Sequence, residues 1–182
     1  MKEMKENLKK LLRILMMKKK IKKMISIKNC CIILLFLLSL STNIFAQITA
    51  KVVGIKDGDT IVILEKNNTQ KTLRLAEVDC PESKQTFGKN AKQFTSSKIF
   101  GKQIIYQPIQ KDRYGRTIAK VYFDNGKYLS EEIIKSGLGW WYSKYSKNEN
   151  LGNYQSLAKT KKLGLWSDKN PIAPWEWRSK KS

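Results

Sequence analysis

The chain has 182 residues, of which 36 are Lys or Arg and 15 are Asp or Glu, and its formal net charge is +21 at pH 7. It contains no histidine, which excludes Ser-His-Asp and Cys-His catalysis and every histidine-ligated metal site. Any catalysis must therefore use carboxylates, arginines, lysines, tyrosines or a hard cation held by oxygen ligands.

The first 46 residues predict a signal peptide. A lysine-rich stretch up to Lys28 is followed by an apolar run, Cys30–Leu40, and then by the small residue Ala46. A basic segment, about 7–15 apolar residues and a small residue at the cleavage position are typical of secretory leaders. We expect cleavage after Ala46 and a protein that is secreted or periplasmic, with membrane contact only during export. An uncleaved anchor is the alternative, although a spanning helix needs about 20 apolar residues.

Residues 47–182 are expected to form one domain, because they suffice for one compact core and show no repeat or linker. Translation of residues 1–46 starts at Met1 or at one of the later methionines, Met16, Met17 or Met24. Residues 1–46 hold 11 of the basic and 2 of the acidic residues. The remainder therefore keeps a net charge of +12. This charge favours nucleic acid as a partner, although a solvated, lysine-rich surface has the same composition. Only Cys80 lies in this region, so no internal disulfide is possible.

Short apolar runs that alternate with turn residues predict a three-stranded meander at the start of the domain. The predicted strands are Ile48–Ile55, Thr60–Leu64 and Thr72–Ala76. Asp57-Gly58-Asp59 predicts a tight turn and residues 66–68 predict a hairpin turn. Short strands joined by tight turns favour a β-barrel.

The second half predicts three helices and two further strands. Apolar spacing predicts helices over Asn90–Phe100 and Leu151–Lys162, and a helix capped by Ser130 that ends at Gly137. The predicted strands are Gln103–Tyr106 and Thr117–Phe123. The resulting order, β-β-β-α-β-β-α-α, indicates a mainly β member of the α+β class.

Three clusters carry the residue types that phosphodiester hydrolysis needs: Asp57–Thr60, Arg74–Glu82 and Asp112–Arg116. The phosphate gains negative charge in the transition state, so a cation and guanidinium donors stabilise it. The attacking water needs a base, and without histidine a carboxylate is the obvious choice. Asp59, Asp79 and a backbone carbonyl can together hold a hard cation.

Each cluster alone also has a structural interpretation, as a plain turn, a strand-ending loop or a hairpin with solvated charges. Together, in this order, they resemble the staphylococcal (micrococcal) nuclease family from about Ile48 to Trp177. The tail segments Gly164–Ser167 and Asn170–Arg178 extend the match.

The resemblance implies an OB-fold, a five-stranded β-barrel flanked by three helices. It also implies a Ca²⁺-dependent endonuclease that cleaves DNA and RNA and leaves 3′-phosphate ends. We expect a monomer, the default for a domain of this size, and no stable protein partner. The implied metal ligands are Asp59, Asp79 and the backbone carbonyl of Cys80. The implied general base is Glu82, the implied phosphate clamps are Arg74 and Arg116, and the candidate substrate contacts are Arg113, Tyr114 and Tyr145.

Three features depart from the family pattern. Cys80 stands where the archetype has threonine, the loop after Glu82 is shorter, and the residues near Tyr145 match the nucleotide-stacking tyrosines only loosely. A non-catalytic OB-fold that binds nucleic acid is the main alternative, and an aromatic-cage domain that binds modified arginine tails is a second. The complete set of acids and arginines favours the enzyme.

The tryptophans have two interpretations. Trp140 and Trp141 belong either to the core or to the site, whereas Trp166, Trp175 and Trp177 are expected to pack.

Overall fold

The computed structural model describes residues 47–180, together with Glu6, Arg13, 15–20 and 22–24. Two compact units are present, Met1–Ile44 and Phe45–Ser182. The described residues of the first unit are helical and exposed. The predicted apolar run Cys30–Leu40 and the cleavage position after Ala46 lie outside the described residues. Among the helices that are described, none is long and apolar enough to cross a membrane.

Eight strands form a six-stranded and a two-stranded sheet within residues 47–180. They are β1 (Ile48–Asp57), β2 (Thr60–Glu65), β3 (Gln70–Leu75), β4 (Val78–Asp79), β5 (Gln103–Lys111), β6 (Thr117–Phe123), β7 (Lys127–Tyr128) and β8 (Trp140–Trp141). The larger sheet has the order β3-β2-β1-β5-β6-β7, and a parallel pairing of β3 with β6 closes five strands into a barrel. The closed barrel confirms the predicted OB-type fold.

Four α-helices lie within residues 47–180: α1 (Gly88–Ile99), α2 (Leu129–Lys135), α3 (Glu149–Thr160) and α4 (Pro174–Ser179). Short 3-10 helices cover Ser143–Tyr145 and Gly164–Ser167. The first three helices are the predicted ones, and α4 adds a fourth to the three that the resemblance implies. Ser130 does not cap α2, which begins at Leu129; its hydroxyl instead donates to the carbonyl of Ala76 at 2.8 Å.

The core fills the barrel and the space between it and the helices. Alternate residues of the strands point inward, as the period of two in a β-strand requires, and Ile61, Ile63 and Leu73 are fully buried. Helices α1 and α2 cover the barrel with Ile99 and Ile133, which are also fully buried. Each such side chain contributes roughly 1.5–3 kcal/mol through removal of its apolar surface from water.

Strand β5 is longer than predicted because it continues through Pro108. Proline cannot donate a hydrogen bond to a neighbouring strand, so it normally marks the end or edge of a strand. Here the register with β6 shifts between Pro108 and Gln110, and this bulge accommodates the proline. The strand therefore continues to Lys111, next to the loop of the third cluster.

Candidate active site

Strand register brings the first two clusters together. Asp59 lies in the turn that joins β1 to β2, and Thr60 pairs with Arg74 across the β2–β3 ladder. The N–H of Leu75 donates to the Asp59 carbonyl at 2.8 Å. The meander predicted from the sequence therefore places Asp59 beside Arg74.

Arg74 links the two predicted metal ligands. Its Nη1 lies 3.1 Å from Asp59 Oδ2 and its Nη2 lies 2.7 Å from Asp79 Oδ1. Its Nη1 also donates to the carbonyls of Leu75 and Val78, at 3.1 and 2.9 Å. Burial by itself would lower the pKa of Arg74, but the two carboxylates raise it above its ordinary value. Arg74 therefore holds the acidic residues in place, and its predicted contact with phosphate stays a prediction.

Asp59 is buried and oriented by donors on both of its oxygens. The backbone N–H of Cys80 donates to Oδ2 at 2.7 Å, and the hydroxyl of Thr60 donates to Oδ1 at 3.1 Å. Helix α1 holds the same turn, since the hydroxyl of Thr95 donates to the carbonyl of Gly58 at 2.6 Å. A Cβ on Gly58 would lie 2.7 Å from the Cβ of Ala91, so the turn requires glycine at this close approach.

Asp79 is almost inaccessible to solvent and contacts two guanidinium groups. Besides Arg74, it accepts hydrogen bonds from Arg178, at 2.7 Å from Nη2 to Oδ2 and 3.3 Å from Nη1 to Oδ1. Burial raises the pKa of Asp79 because the charged form loses hydration, and the hydrogen bond from Arg178 and the charge of Arg74 act in the opposite direction. Both carboxylate oxygens thus have a positively charged donor.

Glu82 is more accessible than the two aspartates, with 38% of its side chain exposed. Its Oε1 lies 2.7 Å from Nη1 of Arg178. Its backbone N–H donates to Oε1 of Gln85 at 2.8 Å, and the N–H of Gln85 donates back to the Glu82 carbonyl at 2.8 Å. This turn holds the backbone of Glu82 while leaving its carboxylate open to water.

Arg178 and Gln85 were not among the predicted site residues. Arg178 lies 96 residues from Glu82 in the sequence, and such a separation gives no indication of contact. The one feature of the sequence that could have pointed to Arg178 is its position as a basic residue at the end of the tryptophan-containing segment Asn170–Arg178. Gln85 had no signal beyond its position shortly after the second cluster.

The third cluster forms a loop organised by Asp112. Oδ1 of Asp112 accepts the N–H groups of Tyr114 and Arg116 at 2.9 and 3.0 Å, and its Oδ2 lies 2.7 Å from Nε of Arg116. Burial opposes ionisation of Asp112, but these hydrogen bonds, led by that of the Arg116 side chain, lower its pKa below the ordinary value. Arg116 directly precedes Thr117, which pairs with Leu73, the neighbour of Arg74. The loop of the third cluster therefore directly precedes the strand that pairs with β3.

The predicted substrate contacts are exposed. Tyr114 is 68% exposed, and the guanidinium carbons of Arg113 and Arg116 lie 4.9 and 5.4 Å from its ring centre. Tyr145 is 63% exposed, and its ring contacts Tyr142 edge-on at 4.8 Å. The side chains thus present aromatic and cationic groups to solvent, as nucleic-acid contacts require.

A row of aromatic rings connects Tyr145 with helix α4. Tyr142 stacks on Trp175 with ring centres 5.5 Å apart and an angle of 3° between the planes. Trp175 contacts Trp140 at 5.6 Å, and Trp140 contacts Trp166 at 4.4 Å. Trp140 is half-buried, Trp166 is buried, and Trp175 packs as expected.

Glu77 fixes the segment that carries Tyr145, and the sequence did not single it out. Its carboxylate accepts hydrogen bonds from Ser146 at 3.0 Å and Tyr128 at 2.9 Å, and its carbonyl accepts the N–H of Tyr142 at 3.0 Å. Its backbone φ of 67° turns the chain between β3 and β4. Glu77 therefore joins the acidic segment to the aromatic row.

The donor chemistry of the site suits a hard cation. Asp59 and Asp79 supply carboxylate oxygens on either side of Arg74, the ligand type that Ca²⁺ and Mg²⁺ prefer. Cys80 is buried, and burial raises the pKa of its thiol well above the usual value, which disfavours the thiolate form that a metal ligand needs. The ligand predicted at this position is the backbone carbonyl. No cluster of three or more His, Cys, Asp or Glu side chains among the described residues is arranged around a metal position.

Comparison with known proteins gives a consistent result. The family model described as "Staphylococcal nuclease homologue" matches residues 72–168, which include Arg74, Asp79, Glu82 and Arg116. A Haemophilus influenzae protein named "Uncharacterized endonuclease" is 41% identical over 130 residues, covering 71% of this chain and 72% of the relative. A protein of the same name from Escherichia coli O157:H7 is 35% identical over 136 residues, covering 75% and 88%. A Shigella flexneri "Micrococcal nuclease" is 35% identical over 151 residues, covering 78% and 86%.

Proposed function

Because the chain belongs to the staphylococcal nuclease homologue family, it is a nuclease that hydrolyses phosphodiester bonds, and we propose that it is an exported, Ca²⁺-dependent endonuclease for DNA and RNA. The observation that supports this most strongly is the grouping of Asp59, Asp79 and Glu82 around two arginines at one end of the barrel. A non-catalytic binding domain has no need of such a concentration of buried and half-buried charge.

Asp59, Asp79 and the carbonyl of Cys80 would hold the cation. When bound there, Ca²⁺ neutralises charge on the phosphate and polarises its P–O bond. Asp59 and Asp79 are held rigidly by Arg74 and by the N–H of Cys80, so their oxygens need little reorganisation. This pre-organisation supports metal dependence, and the all-oxygen donor set supports Ca²⁺.

Glu82 would act as the general base. Its carboxylate is partly exposed and can accept a proton from a water molecule that attacks phosphorus. Arg116, held by Asp112 at 2.7 Å, would donate from its remaining N–H groups to the phosphate oxygens as negative charge develops. In the same transition state, Glu82 would thus accept the proton of the attacking water and Arg116 would stabilise the negative charge on the phosphate.

The kind of contact that the site offers supports the proposed action on both DNA and RNA. An exposed tyrosine such as Tyr145 or Tyr114 stacks on any base, because every base has an aromatic face. Arg113 and the net charge of +12 on residues 47–182 bind the phosphate backbone, which the two nucleic acids share. These contacts support binding without sequence preference.

Export is proposed from the composition of residues 1–46. Mass spectrometry of the protein recovered outside the cytoplasm should give an N-terminus at Gln47. Recovery of an intact N-terminus in the membrane fraction would instead support the anchor.

The decisive experiment treats plasmid DNA and a single-stranded RNA with purified residues 47–182, in Ca²⁺ and then in excess chelator. We expect both substrates to be degraded in Ca²⁺ and to stay intact in chelator. DNA that stays intact in Ca²⁺ but shifts on a gel would support the non-catalytic binding domain. Cleavage in Mg²⁺ but not in Ca²⁺ would show that Mg²⁺ is the cofactor.

A further inference from the structure

The segment Ile172–Ser179, here called the C-terminal strap, packs beside the active site. Nε2 of Gln85 donates to the carbonyl of Ile172 at 3.1 Å, while Oε1 of the same side chain accepts the N–H of Glu82. One glutamine therefore connects the strap to the backbone of the predicted base. The strap lies beyond residues 72–168, the region that the family model matches.

Packing fixes the strap independently of Arg178. Ala173 and Pro174 are buried, and Trp175 stacks on Tyr142 at 5.5 Å. Trp177 lines a cavity of about 60 Å³ together with Pro81 and Gln85. Because Ala173 and Pro174 are buried and Trp175 is stacked, the position from which Arg178 reaches the site is set by the fold.

From this position the Arg178 guanidinium bridges two carboxylates that the proposed function uses separately. Its Nη2 lies 2.7 Å from Oδ2 of Asp79, and its Nη1 lies 2.7 Å from Oε1 of Glu82. The Arg178 side chain is 44% exposed, so it can leave the carboxylates without unpacking the core. Asp79, in contrast, is 1% exposed and cannot move to solvent.

The charge of the site explains why a resident guanidinium is needed. In the part of the chain that the structure describes, the basic side chains bonded to the carboxylates of Asp59, Asp79 and Glu82 are those of Arg74 and Arg178. Without Arg178 the metal-free site would hold two uncompensated negative charges, one of them buried. A guanidinium and a divalent cation bonded to the same carboxylate repel each other strongly at such short range.

We propose that Arg178 is a positioning residue that takes the place of the cation, binding Asp79 and Glu82 in the metal-free enzyme and leaving Asp79 when a divalent cation binds. This inference rests on the proposed metal-dependent function. Arg178 would affect the site in two ways. It would keep Glu82 ordered before the metal binds, and it would lower the apparent affinity for the metal because it competes for Asp79.

Calorimetric titration of Ca²⁺ into the chelator-treated full chain, without nucleic acid, tests the proposal directly. We expect Arg178→Gln to bind Ca²⁺ about three- to fivefold more tightly than the wild type, the upper part of the range for the loss of a competing, half-exposed ion pair. Arg178→Lys keeps the charge but not the two-pronged geometry, so its affinity should lie between the two.

Lys180→Gln is the matched control, because it removes the same charge from an exposed position two residues away. Its Ca²⁺ affinity should stay within about twofold of the wild type, since an exposed charge acts only through screened solvent. An equal gain in Lys180→Gln would overturn the proposal by showing a general charge effect. Unchanged or weaker Ca²⁺ binding by Arg178→Gln would overturn it as well.

Failure of the inference can be told apart from failure of the proposed function. If the wild type binds Ca²⁺ and cleaves DNA while Arg178→Gln has the same affinity, the inference alone is wrong. If neither protein binds Ca²⁺, both are wrong. If Arg178→Gln binds Ca²⁺ more tightly but neither the wild type nor any variant cleaves nucleic acid, Arg178 competes with Ca²⁺ for Asp79 and the proposed activity is wrong.

Discussion

Arg74 is the residue on which the geometry of the acidic cluster depends. Its guanidinium contacts Asp59 and Asp79 and two backbone carbonyls, and only 12% of the side chain is exposed. Breaking a buried ion pair by removing one partner typically costs about 3–5 kcal/mol, because the remaining charge is left without compensation. Loss of activity in Arg74 variants therefore has to be separated from loss of folding, whereas Glu82 and Arg116 are partly exposed and allow cleaner tests.

Glu82→Gln should remove the proposed base while keeping the size of the side chain. We expect kcat to fall by about 10²–10⁴, the usual contribution of a positioned general base. Binding of a DNA oligonucleotide in chelator should not weaken, because the substitution removes a negative charge and no positive one. Single-turnover cleavage and a binding titration on the same preparation measure the two effects, and a kcat within about threefold of the wild type would exclude Glu82 as the base.

Asp112→Asn should act on the reaction through Arg116. The amide cannot form the ion pair with Nε of Arg116, so the guanidinium loses the orientation in which the proposed function places it against the phosphate. We expect kcat to fall about ten- to a hundredfold, as for misplacement of a catalytic group. Arg116→Ala in the Asp112→Asn background should add little, because both changes remove one interaction. Additive losses in that double-mutant cycle would contradict the coupling.

The same loop has a pH dependence whose sign follows from the pKa of Asp112. Because hydrogen bonds lower this pKa in the folded protein, the stabilisation is complete above the unfolded value and is lost as pH falls through the folded value. An NMR titration of the Asp112 carboxyl carbon should give a midpoint below the ordinary value for aspartate. A midpoint at or above that value would show that the loop does not hold Arg116 in solution.

At the level of elements, helix α1 packs against the turn after β4 so closely at Gly88 that neither can shift without the other. A Cβ at this position would collide with the backbone carbonyl of Glu82 and approach Cα of Ser83. Backbone atoms cannot move aside as a flexible side chain can, so the substitution must shift either the helix or the turn. The element that covers the barrel is thus also the element that positions the predicted base.

Gly88→Ala should therefore lower both stability and activity. We expect a loss of about 1–3 kcal/mol in the free energy of unfolding, as is typical of overpacking, measured by urea denaturation. The kcat should fall as well, since Glu82 is displaced. Asn90→Ala, at an exposed position in the same turn of the helix, is the control and should change neither quantity appreciably. Wild-type kcat in folded Gly88→Ala would mean that the position of this turn is not critical.

At the level of the whole molecule, the excess of basic residues governs how the enzyme meets its substrate. Residues 47–182 carry a net charge of +12, which attracts a polyanion over distances longer than any single contact. Binding to phosphates releases counterions, so affinity falls as salt concentration rises.

We expect the affinity for duplex DNA in chelator to fall about ten- to a thousandfold between about 50 and 200 mM salt. Fluorescence anisotropy with two oligonucleotides of unrelated sequence should give the same slope for both, because the contacts are to the backbone. An affinity that does not depend on salt, or a slope that depends on sequence, would contradict binding through charge.

The sequence by itself determined the barrel and most of the acidic cluster, because both depend on local patterns. Apolar alternation is repeated within each strand, and Asp59 and Arg74 lie at the ends of neighbouring strands joined by short turns, so pairing of adjacent strands suffices to bring them together. Small discrepancies arose where local signals are weak, as at Pro108, where a bulge lets the strand continue.

Only the tertiary structure decided the contacts made by the C-terminal strap and by Glu77. Strands β4 and β8 have two residues each and helix α4 has six, lengths too short for any periodicity to be visible. Arg178 reaches Asp79 across 99 residues of sequence, and its position is set by the packing of Trp175 and the hydrogen bond from Gln85. Contacts of this kind depend on how finished elements pack against each other, which the residues of any one segment do not encode.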